Sequence, residues 1–476
     1  MRYILFVLFI SATFVFCKTK APIVEVTETP AVAAVDFTSA EKNHKNYCSG
    51  CHGEQMQAFV DRQWKHGSEA SQIFASIKNG ITVDGMPSYD TTFTDEEVNE
   101  LVAYIQTGIA NVDKYKPSGE KLAENPSPTE EYSILVEPVV TDLEVPWSIQ
   151  VLKDGTMFYT ERKGTLTMVK PDQTKVEIKG VPAVRNRGQG GLLEVELHPN
   201  FTSNKMLFLS YSKMKTVDGR DLSTTAVISA ILQGDELTQV KEIFEALPYR
   251  PTTHHYGCKL EFDKNGYLFI SVGERGFEKE NPQFLDNHGG KIHRIKIDGS
   301  IPEDNPFVNA HNVVKSIYCF GNRNPQGLAL NPMTGDLWEN EHGPRGGDEV
   351  NLILPGKNYG WPVISYGINY NGTTITNLTE LEGMEQPATY YVPSIAASGM
   401  VFVTSDKFAK WKGNLLVGSL RFNYIDRVVL NGKKVEKREI MLKNVGRLRD
   451  IHQGKDGYIY IATERPGTIS RLKVNG

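Results

Sequence analysis

Basic charge, cysteine and long apolar runs are all scarce in this chain, and each shortage excludes something. Lys and Arg number 52 against 57 Asp and Glu, a net charge of −5. No basic stripe is left to follow a phosphate backbone, so nucleic acid is not an expected partner. The one long apolar run, Tyr3 to Phe16 after Met1-Arg2, is too short to span a bilayer comfortably and reads as a secretory signal peptide. It ends at Cys17, followed by Lys18-Thr19-Lys20, which looks like a bacterial lipoprotein signal with Cys17 as the lipidated residue. Phe16 departs from the small residue usual before such a cysteine, and an ordinary signal peptide is the alternative. Nothing later is apolar enough to cross a membrane. Of the five cysteines, Cys258 and Cys319 stand alone; they could pair in an oxidising compartment or remain free buried thiols.

The other two cysteines carry chemistry. Cys48-Ser49-Gly50-Cys51-His52 is the C-x-x-C-H pattern of covalent c-type haem attachment. Two thiols can add to the haem vinyl groups, and the adjacent imidazole can bind the iron. A redox CxxC needs no such His, and a zinc site needs a second ligand pair, which the neighbouring sequence lacks. Met86, on the stiff Val83-Asp84-Gly85-Met86-Pro87 loop, is the expected second iron ligand, a pairing that raises the potential and suits electron transfer. His66 is the competing candidate, and His44 lies too close to the attachment site. Thr94-Asp95-Glu96-Glu97 reads as a capping box, with Val98, Leu101, Val102 and Ile105 following at helical spacing. The segment resembles a small class I cytochrome c domain.

The expected organisation is a signal peptide over 1–17, a Pro/Val/Thr/Ala-rich tether over 18–35, an all-α cytochrome c domain over 36–110, a Pro-rich linker over 111–131, and an all-β domain over 132–476. In the last of these a turn pair repeatedly precedes a strand of aromatic, aliphatic and β-branched residues. Asp154-Gly155 precedes Met157-Phe158-Tyr159, Ser203-Asn204 precedes Met206 to Leu209, and Asn265-Gly266 precedes Tyr267 to Ile270. Thr334-Gly335 precedes Leu337-Trp338, Gly413-Asn414 precedes Leu415 to Val417, and Asp456-Gly457 precedes Tyr458 to Ile461. Six copies with unequal spacing predict a six-bladed β-propeller.

Five polar clusters interrupt this pattern: Arg187-Gly188-Gln189-Gly190-Gly191, His254-His255-Tyr256-Gly257, Gly321 to Gly327, Glu341 to Glu349, and Gly446 to Asp450. Several arginines and a glutamine suit an anionic, carbonyl-rich ligand. Asp348 and Glu349, among Gly and Pro carbonyls, offer hard oxygen donors for Ca²⁺. His255 is a candidate general base.

Gln189 in GQGG, His255, the GNRNPQG run and GP-x-x-x-DE followed by Asn358-Tyr359-Gly360-Trp361-Pro362 resemble the soluble quinoprotein glucose and aldose sugar dehydrogenases. That resemblance, from Tyr132 onward, implies a propeller binding pyrroloquinoline quinone and Ca²⁺ that oxidises sugars at the anomeric carbon. It implies His255 as base, Glu274 as its orienting acid, and Arg323, Asn324 and Gln189 as quinone contacts. It implies Arg447 and Arg449 as holders of the cofactor carboxylates, Gly343 and Pro344 as carbonyl ligands of the cofactor's Ca²⁺, and Glu349 and Tyr359 as further calcium positions. Two departures stand out: His254 replaces an acidic residue just before the base, and Arg421 replaces a cofactor-binding Lys.

Together the two halves are expected to form an exported enzyme, periplasmic or membrane-anchored through Cys17. It would take electrons from a sugar or related alcohol to its own haem and then to an external respiratory acceptor. Two rivals remain at this stage: a non-catalytic sugar- or protein-binding propeller fused to an electron carrier, and a lactonase-like propeller hydrolase. A lactonase needs no Arg clamp, and neither rival predicts a quinone absorption band.

Overall fold

The computed structural model describes residues 36–52, 64–110 and 124–475. The signal-peptide and tether readings, and residues 111–123 of the linker, lie outside the described residues. Among the described residues no helix is long and apolar enough to cross a membrane.

The N-terminal part is helical: α1 (Thr38–Asn43), α2 (Ser49–His52), α3 (Ala70–Asn79) and α4 (Asp95–Ala110). The capping box forms in both directions. Thr94 N donates to Glu97 Oε2 at 2.9 Å, and Glu97 N donates to Thr94 Oγ1 at 3.2 Å. Val98, Leu101, Val102 and Ile105 are buried, packed with Ile73 and Ile77 of α3 and with Tyr89 and Phe93. Tyr47 and Met86 border this core.

The rest folds into six four-stranded antiparallel sheets, one of them extended by a short fifth strand. The innermost strands are Pro146–Val151, Leu192–Leu197, Leu260–Phe262, Pro325–Leu330, Ala397–Phe402 and Leu448–Gln453. Each of the six repeats falls on the second strand of a blade, from Met157–Glu161 in blade one to Ile459–Glu464 in blade six. The turn before that strand needs a left-handed residue. Gly155, Gly266, Gly335, Gly413 and Gly457 supply it at φ 78 to 87°, while Lys205 fills the role at φ 56° in blade two. Apolar clusters between neighbouring blades hold the ring; Phe158 and Leu166 of blade one, for example, pack with Leu207 and Leu209 of blade two. The ring closes where Ser133–Val140 pairs antiparallel with Gly467–Val474, placing the domain's first long strand outside its last.

Cys258 and Cys319 are free and buried, in separate apolar clusters, so the pairing left open by the sequence is not made. Burial pushes the Cys258 thiol up to about 12.

Candidate active site at the propeller mouth

In an antiparallel blade the start of the innermost strand and the end of the second strand lie at the same end. Gln189, His255, Arg323 and Arg447 precede innermost strands; Glu274, Gly343, Arg421 and Glu464 end or follow second strands. The topology therefore gathers nearly all the sequence-predicted propeller residues at one mouth.

At its centre His255 Nδ1 lies 2.5 Å from Glu274 Oε1. Glu274 Oε2 accepts from Phe277 N at 2.7 Å, and Glu274 N donates to Arg323 O at 2.8 Å, which fixes the carboxylate against its neighbours. Gln189 Oε1 accepts from His255 N at 2.8 Å. His255 itself has φ 56°, a left-handed conformation that a non-glycine residue adopts only when its surroundings enforce it. Burial, then the charges of Arg323 and Arg275, hold the His255 imidazolium well below the usual range, so the ring is neutral. Burial also raises Glu274, against the pull of Arg323. With a carboxylate at Nδ1, the neutral ring carries its proton there and keeps Nε2 as the basic nitrogen.

Arg323 is buried and donates through Nη1 to His342 O at 3.0 Å and Gly343 O at 2.8 Å. Glu341 Oε2 accepts from Arg323 N at 2.5 Å and Asn324 N at 3.1 Å, bracing that strand start. Arg449 and Arg447 converge on one carboxylate: Arg449 Nη2 reaches Glu464 Oε1 at 2.6 Å and Arg447 Nε reaches Oε2 at 2.8 Å. Burial alone would raise Glu464, but Arg449 and Arg447 outweigh it and hold the group far below the carboxylate range. The Arg449 guanidinium also lies 4.1 Å from the Trp147 ring centroid. A pocket nearby is lined by His342, Gly343, Pro344, Ser394, Ala396 and Arg421, together with Asn46, Tyr47, Arg345 and Tyr370.

The residues fit an anionic, carbonyl-rich cofactor. Arg323 Nε, Asn324 Nδ2, His342 Nε2 and Arg421 Nε are buried polar atoms without a partner, a costly arrangement unless something accepts from them. Calcium is served differently. Among the described residues no group of three His, Cys, Asp or Glu forms a metal cage, so a cation at the mouth would need other oxygens, of which the Gly343 and Pro344 carbonyls are candidates. Gly343 O already accepts from Arg323, so a cation there would share that oxygen's second lone pair beside an anionic cofactor. Asp348, read from sequence as a candidate oxygen donor, is spent otherwise. Its Oδ1 accepts from Gly343 N at 2.9 Å and Ser394 Oγ at 2.6 Å, and Oδ2 accepts from Ala397 N at 3.1 Å. It braces the Gly343 loop. Glu349 is held by Asn351 Nδ2 at 3.1 Å, and burial, then the nearby Asp348, raise it to about 7 despite that hydrogen bond. The Tyr359 hydroxyl is engaged inside the core, donating to Leu352 O at 2.6 Å and accepting from Leu354 N at 2.9 Å. Any cation role for Tyr359 therefore falls to its backbone.

In the helical domain, Cys48 closes a π-helical turn (His44–Cys48) and His52 ends α2, so the attachment motif lies on continuous helix; the Cys51 side chain is outside the described residues. Burial lowers His52 to about 4, leaving it neutral, the form in which imidazole ligates iron. The Met86 loop is pinned by reciprocal backbone bonds between Ile81 and Met86 at 2.7 and 3.1 Å, with Gly85 left-handed at φ 86°. His66, the competing candidate ligand, instead places Nε2 3.0 Å from Asp84 Oδ2.

Sequence reasoning missed the bracing roles of Glu341, Asp348 and Glu464, because each partner comes from another strand or loop. It also missed Trp147 and Ser394, which carry no motif.

The fold and mouth define a sugar-dehydrogenase-type propeller, preceded by a cytochrome c domain. The chain belongs to the Glucose / Sorbosone dehydrogenase family, whose model matches residues 143–471. Residues 35–105 match the model described as Cytochrome C oxidase, cbb3-type, subunit III. The chain is 40% identical to Aldose sugar dehydrogenase YliI of Escherichia coli (strain K12) over 70% of its length and 90% of that protein. The apo-form structure of the soluble Aldose sugar dehydrogenase from Escherichia coli matches with TM-score 0.67 and 38% identity, over 72% of this chain and 99% of that one. The PQQ-bound form of Aldose Sugar Dehydrogenase from Streptomyces coelicolor matches with TM-score 0.60 and 25% identity, over 73% and 100%.

Proposed function

We propose that this chain is an exported quinohaemoprotein that oxidises aldose sugars or related alcohols at the anomeric carbon and passes the electrons to its own haem, then to an external respiratory acceptor. The observation that carries this reading is the 2.5 Å pairing of His255 with Glu274 beside buried donors that lack partners. Arg323, Asn324, Arg421, Gln189, Arg447 and Arg449 would hold pyrroloquinoline quinone, and the Gly343 and Pro344 carbonyls its Ca²⁺. When bound, that pair supplies a hydride acceptor polarised by a Lewis acid. His255 Nε2 takes the proton of the anomeric hydroxyl, and Glu274 stabilises the resulting imidazolium through Nδ1. Glu349 and the Tyr359 backbone are assigned to a further calcium position. In the helical domain Cys48 and Cys51 would carry the haem, and His52 and Met86 would hold its iron. The N-terminal segment directs export, and lipidation of Cys17 attaches the protein to a membrane.

The test is anaerobic. Purified holoprotein is given pyrroloquinoline quinone and Ca²⁺, then glucose and a panel of aldoses, while the reduced haem band is followed. Quinone-dependent haem reduction that disappears in His255→Ala supports the reading; failure to bind quinone at all overturns it.

A further inference from the structure

The helical domain lies across the propeller mouth, and its contacts cluster beside its haem-bearing residues. On one side Asp84, two residues before Met86, meets blades two and three. Arg187 Nη2 reaches Asp84 Oδ2 at 3.1 Å, and Thr253 Oγ1 donates to Asp84 Oδ1 at 3.0 Å. Thr253 N donates to Val83 O at 3.0 Å. Gly85 sits so close to His254 that a Cβ there would come within 3.2 Å of the His254 Nδ1 atom, and the residue also has positive φ. On the other side Tyr47, next to Cys48, faces the Arg345 guanidinium at 4.4 Å, and Thr92 Oγ1 donates to Asn371 O at 2.8 Å. Between these footholds, Asn46 and Tyr47 share the pocket with Gly343, Pro344 and Arg421.

We propose that the Val83–Gly85 segment is a latch seating the haem domain over the mouth. Seated, it places the Met86 loop against His254, next in sequence to His255, and closes the mouth; released, it opens the mouth to sugar. His254 then serves as the propeller's landing surface for the haem loop. The meaning given to the seated state rests on the proposed function, whereas the latch itself rests on the contacts. One sugar oxidation releases two electrons and the haem carries one. Two ferric-to-ferrous reductions, each followed by transfer to the external acceptor, must therefore occur before the next sugar is processed, and a latch that holds through both suits that need. The contacts named are an ion pair, a cation–ring contact and neutral hydrogen bonds, and the charged ones are weakened by salt.

The test uses the full-length haem-loaded chain and two readouts. In small-angle X-ray scattering, raising NaCl from about 50 mM to 500 mM should increase the radius of gyration. Asp84→Lys should do the same at low salt, and the charge swap Asp84→Lys with Arg187→Asp should restore compaction. In quinone-loaded protein, stopped-flow haem reduction by sugar should slow at least tenfold in Asp84→Lys and recover in the swap. Sugar oxidation coupled to a dye that takes electrons directly from the quinone should not fall. The haem spectrum, checked in each variant, should match wild type, and the haem potential is measured alongside so that the rates are compared at known driving force. Scattering that ignores salt and mutation overturns the latch. Opening with unchanged haem reduction overturns its role in electron delivery. A wild-type chain in which sugar reduces neither haem nor dye would sink the proposed function, while scattering would still decide the latch.

Discussion

Replacing Glu274 by Gln tests which nitrogen of His255 carries the proton. Glu274 Oε2 accepts from Phe277 N at 2.7 Å, so the amide introduced by Glu274→Gln must place its carbonyl there and turn its NH₂ toward His255. The Nδ1 atom, now 2.5 Å from a carboxylate oxygen, would face a donor and become an acceptor. The ring proton then moves to Nε2, and the base is lost although the fold is intact. Losing a charge-assisted hydrogen bond costs about 1.5–3 kcal/mol. Losing general-base action is worth about 10²–10⁴ in rate. The expected result is a fall in kcat of about 10²–10³-fold with little change in KM. The assay is dye-coupled sugar oxidation by protein reconstituted with quinone and Ca²⁺, with quinone affinity titrated separately. A kcat within about threefold of wild type, at unchanged cofactor affinity, would refute the tautomer argument.

Other consequences follow from the same geometry. Burial, with Arg323 and Arg275, holds His255 below its usual pKa, so the base stays unprotonated into acid. The kcat/KM profile should therefore show no histidine limb near pH 6.5, only a loss at lower pH; a limb at about 6.5 would count against the assignment. Glu464→Gln leaves Arg447 and Arg449 without their shared carboxylate and should lower Tm by about 5 °C, read by calorimetry on the apo protein. Glu464 is held below its usual pKa, so its contribution to stability is present above about pH 4.5 and is lost only as pH falls well below that. Asp348→Ala removes three hydrogen bonds to the Gly343 loop and its neighbours and should weaken Ca²⁺-dependent quinone binding at least tenfold, measured by fluorescence titration. Met86→Leu should lower the haem potential, and Cys51→Ala should abolish two-point attachment, read by redox titration and by mass and pyridine haemochrome spectra.

The parts that the sequence made legible are those with local rules. All six turn-plus-strand repeats are second strands, because that strand follows a tight turn and is buried on both faces, as in Leu268–Val272 and Leu415–Ser419. The innermost strands were harder to see, because they line the centre with ionisable residues. Glu194 and Asp450 of two innermost strands, for instance, flank Lys259, just before a third, at 2.6 and 3.1 Å, which hides any apolar pattern. In the site, Arg323, His255 and the Gly343 loop were visible as unusual residue types in turns. Glu341, Asp348 and Glu464 were not, because a carboxylate that braces a neighbouring strand looks in sequence like any other acid. Asp84 had no signal for its cross-domain role either: its propeller partners, Arg187 and Thr253, lie more than a hundred residues away.

The pairing of Ile134 with Val474 has a consequence for how the ring is made. Blade six is complete only when a strand from the beginning of the propeller meets strands from its end, so that sheet cannot form during synthesis of the first five. Until then blade one and blade five each present an unpaired flank, with Ile149 and Val151 on one side and Leu416 and Ile425 on the other waiting for cover. The helical domain has no such dependence, since its core draws only on residues before Ala110. A chain folding from its N-terminus can thus finish its helical domain first and lock its propeller ring last. Loss of the final strand would cost the whole circle rather than a single blade.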